Sequence, residues 1–79
     1  MENYQKVELM SHAGRRIAKA RKCSGFSQER LLDEIYLETD VLIDRNTLSL
    51  IERGRIATSG YNLFIICSAL GLKIDELFI

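Results

Sequence analysis

The stretch DRNTLSLIERGR, which starts at Asp44, constrains the fold more than any other part of the chain. Asp44 is a favourable N-cap and Gly54 favours the end of a helix, so a short helix is predicted between them. At about 100° per residue, Leu48, Ile51 and Glu52 share one side of that helix. The helix is therefore expected to pack on a core through a side that carries a carboxylate.

A second, mostly polar stripe follows the opposite side of the same helix. Its members are Asn46, Ser49, Leu50 and Arg53. Spacing of i, i+3, i+4 and i+7 places side chains in one row along a helix. We expect this row to face outward, where it can reach a partner molecule. Leu50 is its apolar member, and three interpretations stay open for it: a base contact, a dimer contact or an exposure without a role.

Glu52 needs a partner, because an unpaired buried carboxylate costs several kcal/mol. Arg21 is the expected partner, since it lies on the same flank of the first predicted helix as Ile17 and Ala20. An Arg21–Glu52 ion pair would join the first helix to the third and fix the orientation of the third. The alternative is that Glu52 reaches solvent.

Glycines and capping residues divide the rest of the chain into further helices. The first helix is expected from Gly14 to Gly25, and the second, capped by Ser27, from Gln28 to about Glu38. The third is the helix 45–53, and the fourth starts at Thr58 or Ser59 and ends at Gly71. A short last helix, capped by Asp75, is expected within 72–79. Residues 1–13 are interpreted as an N-terminal extension, either an arm or extra helical turns, and 14–79 as one domain. The chain has no proline, which agrees with an all-α fold.

Two apolar helix faces are expected to supply much of the core. The second helix contributes Leu31, Leu32, Ile35 and Tyr36. The fourth contributes Leu63, Phe64, Ile66, Cys67 and Leu70. The connecting segment 39–43 is expected to tuck back onto this core. A domain of 79 residues buries only about 60% of its unfolded surface, so a marginal stability is expected.

Several classes of protein are disfavoured by residue types and spacing. Cys23 and Cys67 do not form a disulfide framework, and no Cys/His spacing suits a metal. His12, the single histidine, has no nucleophile with an orienting partner near it in sequence. No apolar run approaches the ~18 residues that span a bilayer, and no signal peptide begins the chain. We expect a cytoplasmic protein that is not an enzyme and needs neither cofactor nor metal.

Charge is distributed in blocks, although the 11 basic and 11 acidic residues cancel. The segment 14–30 is basic, with Arg15, Arg16, Lys19, Arg21, Lys22 and Arg30 against Glu29. The next block is acidic and has no basic residue: Asp33, Glu34, Glu38, Asp40 and Asp44. The segment 45–60 is basic again. Blocks of this kind form a patterned surface that the net charge conceals, unless they are simply solvated helix faces.

Four runs of sequence together resemble the Cro and phage-repressor type of helix-turn-helix family, also called the xenobiotic-response-element family. They are GRRIAKAR at 14–21, GFSQERL at 25–31, LSLIERGR at 48–55 and ALGLKIDEL at 69–77. The resemblance covers about residues 14–78 and implies a five-helix, lambda-repressor-like DNA-binding domain. The arginine–glutamate pair that recurs in this family falls on Arg21 and Glu52.

The resemblance also assigns roles toward double-stranded DNA. The residues facing the bases in the major groove would be Arg45, Asn46, Ser49 and Leu50. Those contacting phosphates would be Ser27, Gln28, Arg53, Arg55, Thr58 and Ser59. Arginine can donate two hydrogen bonds to guanine, asparagine can pair with adenine, and leucine can contact a thymine methyl. Phosphate contacts add affinity and position without selecting sequence.

The chain departs from the family between its second and third helices. Leu32 replaces the usual alanine, the glycine of the tight turn is missing, and extra residues lie between Gln28 and Asp44. A lengthened connection between helices 2 and 3 is therefore expected. Its acidic segment, 33–44, would be repelled by phosphates and should face away from DNA. It could then bind a protein partner, such as an antirepressor or a toxin, or be a solvated helix extension.

The apolar C-terminus suggests self-association. Leu77, Phe78 and Ile79 cannot all be buried in so small a domain, so we interpret them as contacts of a homodimer, as is common in the family, or as a frayed end. The resulting hypothesis is sequence-specific binding to double-stranded DNA and transcription regulation, most simply as a repressor. Phage repressors, restriction–modification controllers and antitoxins all fit. The alternative is a protein-interaction module on the same fold.

Overall fold

The computed structural model describes residues 3–78, with side chains described from Glu8 to Phe78. Within this range four α-helices are followed by a short 3₁₀ helix, and there is no strand. The helices are α1 (Asn3–Cys23), α2 (Gln28–Thr39), α3 (Arg45–Glu52), α4 (Gly60–Leu70) and the 3₁₀ helix Ile74–Phe78. The all-α prediction is confirmed, and the fifth element is a 3₁₀ helix.

The first helix is longer than its sequence pattern suggested. It begins at Asn3 and continues without a break through Gly14, so the described part of the expected extension forms extra turns of α1 and not a separate arm. Ala13 is buried in the core. The helix ends at Cys23, and Ser24 beyond it is exposed.

The core lies where α1 packs on α3 and on the 3₁₀ helix, and where α2 packs on α4. Its fully enclosed side chains are Ile17, Leu31, Ile35, Leu48, Ile66, Cys67 and Leu77. Two expected core residues are outside it: Tyr36 is 45% exposed and Phe64 is 60% exposed. Ile65 is buried next to Phe64. The sequence GYNLFIICSAL of α4 is apolar around most of its circumference, so periodicity does not identify the buried face.

The two cysteines differ in their surroundings, as expected for unpaired residues. Cys67 is enclosed by the core and Cys23 is exposed. Burial raises the pKa of the Cys67 thiol, and the negative charge of Glu76 raises that pKa further. The thiol therefore stays protonated at neutral pH and behaves as a small apolar side chain.

The segment joining α2 to α3 packs through alternate residues. Val41 and Ile43 contact the core, whereas Leu42 is 82% exposed. This alternation is that of an extended backbone, in which neighbouring side chains point in opposite directions. Asp40 turns the chain out of α2 with a φ of 59°, in the left-handed region. The prediction that this segment tucks onto the core therefore holds for two of its apolar residues and is wrong for Leu42.

The C-terminal segment folds inward and corrects two predictions. Leu77 is fully buried, so it cannot be a dimer contact. The Arg16 guanidinium donates to the backbone carbonyl of Glu76 at 3.2 and 3.1 Å, which holds this segment against α1. The Glu76 carboxylate accepts from the Lys73 N–H at 2.7 Å, so Glu76 provides the capping contact expected of Asp75. Phe78 is 47% exposed, and Ile79 lies outside the described residues.

Candidate nucleic-acid interface

Local hydrogen bonds define both ends of α3. The Asp44 carboxylate accepts from the Asn46 N–H at 3.0 Å, which caps the first turn. At the other end the Gly54 N–H donates to the Ile51 carbonyl and the Arg55 N–H to the Leu50 carbonyl, at 3.0 and 2.9 Å. This Schellman pattern uses a positive φ, 69°, which glycine adopts without strain. The helix boundaries expected from Asp44 and Gly54 are confirmed.

The inner side of α3 is buried and carries the expected ion pair. Leu48, Ile51 and Glu52 have at most 8% exposure, and Arg21 has 9%. Arg21 donates from Nε to Oε2 of Glu52 at 2.7 Å and from Nη2 to Oε1 at 3.0 Å. A two-point contact of this kind orients both planar groups. The alternative, a Glu52 that reaches solvent, is wrong.

Two further hydrogen bonds complete this buried cluster. The remaining Arg21 nitrogen, Nη1, donates to the Phe26 carbonyl at 2.8 Å. The Gln28 amide donates to Oε1 of Glu52 at 3.0 Å. The cluster thus connects α1, the turn after it, the start of α2 and the end of α3. These hydrogen bonds offset the free-energy cost of burying the charges of Arg21 and Glu52.

Close backbone contact fixes the distance between α1 and α3. A Cβ added to Gly14 would lie 2.7 Å from the Glu52 carbonyl oxygen. A Cβ added to Gly54 would lie 2.6 Å from the Cα of Ser11. Real Cβ atoms do not approach backbone atoms so closely, so glycine is required at both places. The inner side of α3 is consequently held by backbone contact as well as by side chains.

The outer side of α3 is accessible, as the stripe pattern predicts. Asn46 and Arg53 are exposed, and Ser49 and Leu50 are partly exposed. Arg53 folds back so that its Nε donates to the Ser49 carbonyl at 3.4 Å. Arg55, two residues further on, is also exposed.

A carboxylate next to Arg45 was not anticipated from the sequence. Arg45 Nη1 lies 3.6 Å from Oε2 of Glu29, and the two side chains are 66% and 73% exposed. The first turn of α2 thereby meets the first turn of α3 at the surface. Exposed pairs of this kind contribute little to stability, so a partner can displace the contact at small cost. Nothing in the spacing of these residues indicated that they meet, because the path of 40–44 decides it.

Of the hydroxyl residues expected at phosphates, Ser27 and Ser59 are the N-caps of α2 and α4, and Thr58 precedes Ser59. The Ser27 hydroxyl oxygen accepts from the Arg30 N–H at 3.0 Å, and that of Ser59 accepts from the Asn62 N–H at 3.1 Å. The Thr58 oxygen accepts from the Asn62 side chain at 3.2 Å. Their hydroxyl hydrogens can still donate to another oxygen. Asn62 was missed by the sequence reasoning, although its position four residues after Thr58 in a helix start was a usable signal.

The basic block 14–30 is divided by the fold. Arg16 and Arg21 bind groups within the domain, as described above. Arg30 lies 3.3 Å from Glu34 and stands 5.2 Å from the centre of the Phe26 ring. The basic residues of this block that lie on α1 and remain exposed are Arg15, Lys19 and Lys22. The number of basic residues in this block is therefore larger than the number of basic side chains available to bind an anion.

Neither a metal site nor a membrane-spanning helix is found within the described residues. No group of three or more histidine, cysteine, aspartate or glutamate side chains is placed to hold a metal ion there. No helix in the described range has the length and apolarity needed to cross a membrane.

Comparison with known families agrees with this geometry. The helix-turn-helix family model of the Cro and phage-repressor type matches residues 17–77. The match contains the Arg21–Glu52 pair and all of α2, α3 and α4. No curated protein matches the chain. The chain belongs to the Cro and phage-repressor type of helix-turn-helix proteins, a family of DNA-binding transcription regulators.

Proposed function

We propose that this protein binds double-stranded DNA sequence-specifically in the cytoplasm and represses transcription by occupying an operator. The outer side of α3 enters the major groove. One observation carries the proposal: α3 is held through its inner side by a buried two-point ion pair, while its other side is exposed. A rigid helix with an accessible polar row is the arrangement that major-groove reading requires.

Four side chains of α3 face the bases, and each has its own chemistry. Arg45 donates two hydrogen bonds to a guanine, and Asn46 pairs with an adenine. Leu50 contacts a thymine methyl, and Ser49 hydrogen-bonds to an adjacent base edge. Arg45 must leave Glu29 to reach a base, and the exposure of both groups makes that exchange inexpensive.

Phosphate contacts surround this row. Ser27 and Gln28 offer donors at the positive end of the α2 dipole, where anions bind favourably. The Gln28 amide has a second N–H besides the one bound to Glu52, so it links a phosphate to the buried cluster. Beyond the recognition helix, the phosphate-binding residues are Arg53, Arg55, Thr58 and Ser59.

Dimerisation would present two copies of α3 to two half-sites about one DNA turn apart. Phe78, which is 47% exposed, supports a contact between copies near the C-terminus, and Ile79 is the second residue we assign to it. Sedimentation of the parent and of Phe78→Ser at several concentrations tests this part. A monomeric parent would exclude the homodimer.

Selection of preferred sites from a random DNA pool tests base reading. Asn46→Ala should weaken binding to the selected site about 5-fold to 100-fold while leaving random duplex nearly unchanged. Arg53→Ala should weaken binding to all sequences alike and lower the slope of log affinity against log salt by about one. Lys19→Ala is the matched control, since it removes an exposed charge from α1 and is not among the residues proposed to contact DNA.

The result that contradicts groove reading is equally specific. If Asn46→Ala and Arg53→Ala both bind the selected site as the parent does, α3 is not the reading element. A selection that returns no preferred site would contradict sequence-specific function while leaving non-specific DNA binding open.

A second function is favoured by the acidic segment 33–44. We infer that the connection leaving α2 is longer than is usual in the family, and that the acidic segment 33–44 presents Leu37 and Leu42 among five carboxylates. These leucines are 76% and 82% exposed. A protein partner with basic and apolar groups, such as a toxin or an antirepressor, would suit this surface. If affinity for random duplex DNA does not fall as the salt concentration rises, this protein-binding function is favoured over DNA binding.

A further inference from the structure

An apolar cavity of about 130 Å³ opens beside α3, on the side that faces α1. Ile17 and Ile51 form its floor, and they have 0% and 4% exposure. Leu9 and Phe78 stand at its mouth, where they are 51% and 47% exposed. The cavity is therefore deep enough to reach the core and open enough for a molecule to enter without unfolding the domain.

The lining restricts what the cavity can hold. Thr58 is the one lining residue with a polar side chain, so charged or strongly hydrated ligands would lose hydrogen bonds on entry. Pockets for ligands of drug size measure about 300–1,000 Å³, and this cavity is well below that range. An apolar protein cavity of about 150 Å³ stays dry and binds benzene or xenon. Volume and polarity together fit a hydrocarbon or one aromatic ring.

The walls of the cavity belong to the parts of the domain assigned to DNA. Ile51 lies on the inner side of α3, and Ile56 and Thr58 belong to the segment that follows α3. This segment also carries Arg55 and leads to Ser59. A molecule between α1 and this segment would limit how closely the segment approaches the core. Any ligand that prefers one position of the segment changes DNA affinity in proportion to that preference.

We infer that this cavity is a binding site for a small apolar effector, a hydrocarbon or monocyclic aromatic molecule, that modulates the affinity of the protein for DNA. The modulation rests on the proposed function, whereas the site itself does not. The effector touches the floor at Ile17 and Ile51 and acts on the segment around Ile56. Because coupling is reciprocal, DNA changes the affinity for the effector by the same factor.

Methyl NMR spectra of the full chain, titrated with benzene, test the site without using DNA. Saturable shifts are expected for the methyl groups of Ile17, Ile51 and Ile56, and none for Ile35, which lies in the core outside the cavity lining. Saturating benzene should also raise the midpoint of thermal unfolding by a few degrees, because it binds only the folded state. Unchanged methyl spectra would overturn the proposal.

Filling the cavity gives the variant test. Ala13→Leu places a larger side chain into it from α1, and Ala57→Leu does so from the exposed rim, where folding is less at risk. Each should weaken benzene binding at least 10-fold. Ser68→Leu adds the same side chain at an exposed position outside the cavity and should leave benzene binding unchanged. Equal binding by Ala57→Leu and the parent would place benzene elsewhere and reject the site.

Other occupants give distinct results. If benzene shifts the lining methyl groups only at protein concentrations where the chain is monomeric, a second copy that contacts Phe78 covers the mouth of the cavity, and the proposal is wrong. If benzene binds only a chain shortened to end at Phe78, the last residue fills the cavity and the proposal is again wrong.

Affinity for the selected duplex, or for random duplex if no site is selected, tests the modulation. It should change at least 2-fold with benzene in the parent and not in Ala57→Leu. An unchanged affinity in a parent that binds both benzene and DNA rejects the modulation. Absence of DNA binding altogether rejects the proposed function, and the methyl shifts then decide the site on their own.

Discussion

Two regions that adjoin α3 are built differently. The interface between α1 and α3 is enclosed: Arg21 and Glu52 are buried, and Gly14 lets the two backbones touch. The segment 36–44, which comprises the last turn of α2 and the connection to α3, is more open: Leu37 and Leu42 are largely exposed, and Val41 and Ile43 pack on the core. The orientation of α3 is therefore determined mainly by α1, although α2 is its neighbour in sequence. The connection from α2 can then vary without moving the outer side of α3.

The largest expected effect comes from breaking the buried pair on one side. Arg21→Met leaves Glu52 charged and unpaired, and it should lower the free energy of unfolding by about 3–5 kcal/mol. Replacing both residues by methionine should recover most of that loss, since neither charge remains buried. Urea unfolding of the single and double variants measures both values. A single variant as stable as the parent would mean that the pair does not hold α3.

The backbone contact should come next in size. Gly14→Ala forces α1 away from the Glu52 carbonyl and should cost about 1–3 kcal/mol or more, as overpacking does. Gly60→Ala is the matched control, because a Cβ meets nothing within 4 Å there and Gly60 opens helix α4. That change should be neutral or stabilising by up to about 1 kcal/mol. Equal losses in both variants would contradict a close contact specific to α1 and α3.

A smaller effect is expected at Asp40, where the chain leaves α2. Asp40 has a φ of 59°, so Asp40→Gly should stabilise by about 0.5 kcal/mol and Asp40→Ala should destabilise by a similar amount or more. Thermal unfolding of the three chains should give the order glycine, aspartate, alanine. If the alanine variant is more stable than the parent aspartate, relief of repulsion among the carboxylates of 33–44 outweighs the backbone conformation at this residue.

The smallest effect is expected in the open segment itself. Leu37→Ser and Leu42→Ser should each change the free energy of unfolding by less than about 0.5 kcal/mol, because little of either side chain is buried. Val41→Ser is the informative neighbour, since Val41 packs against the core and its replacement should cost more. A loss at Leu42 as large as at Val41 would show that the segment is more enclosed than its exposure indicates.

Predictions from the sequence were most accurate in two situations: where a structural feature depends on residues within one helical turn, and where few residues could be the required partner. Asp44 and Gly54 bound α3 because capping depends on residues within one turn. The Arg21–Glu52 pair was predictable because a carboxylate on a buried stripe needs a cation and few were within reach. Leu48 and Ile51 were assigned to the inner side by helical periodicity alone.

Other features depended on how the helices pack, which no local pattern encodes. In the nearly uniform apolar sequence of α4, Ile65 is buried and Phe64 is exposed because of how α4 packs on α2, α1 and the 3₁₀ helix. Leu77 is buried because Arg16 and Glu76 hold the C-terminal segment against α1. The meeting of Glu29 with Arg45 follows from the path of residues 40–44.

The local sequence thus determined that this chain forms a capped helix. One side of that helix carries a buried charge, and the other carries a row of polar side chains. The tertiary structure alone decided which apolar residues enclose the core, which remain outside it and where a cavity is left. The physical reason is that capping and helical periodicity involve neighbours in sequence, whereas burial depends on the relative positions of helices far apart along the chain.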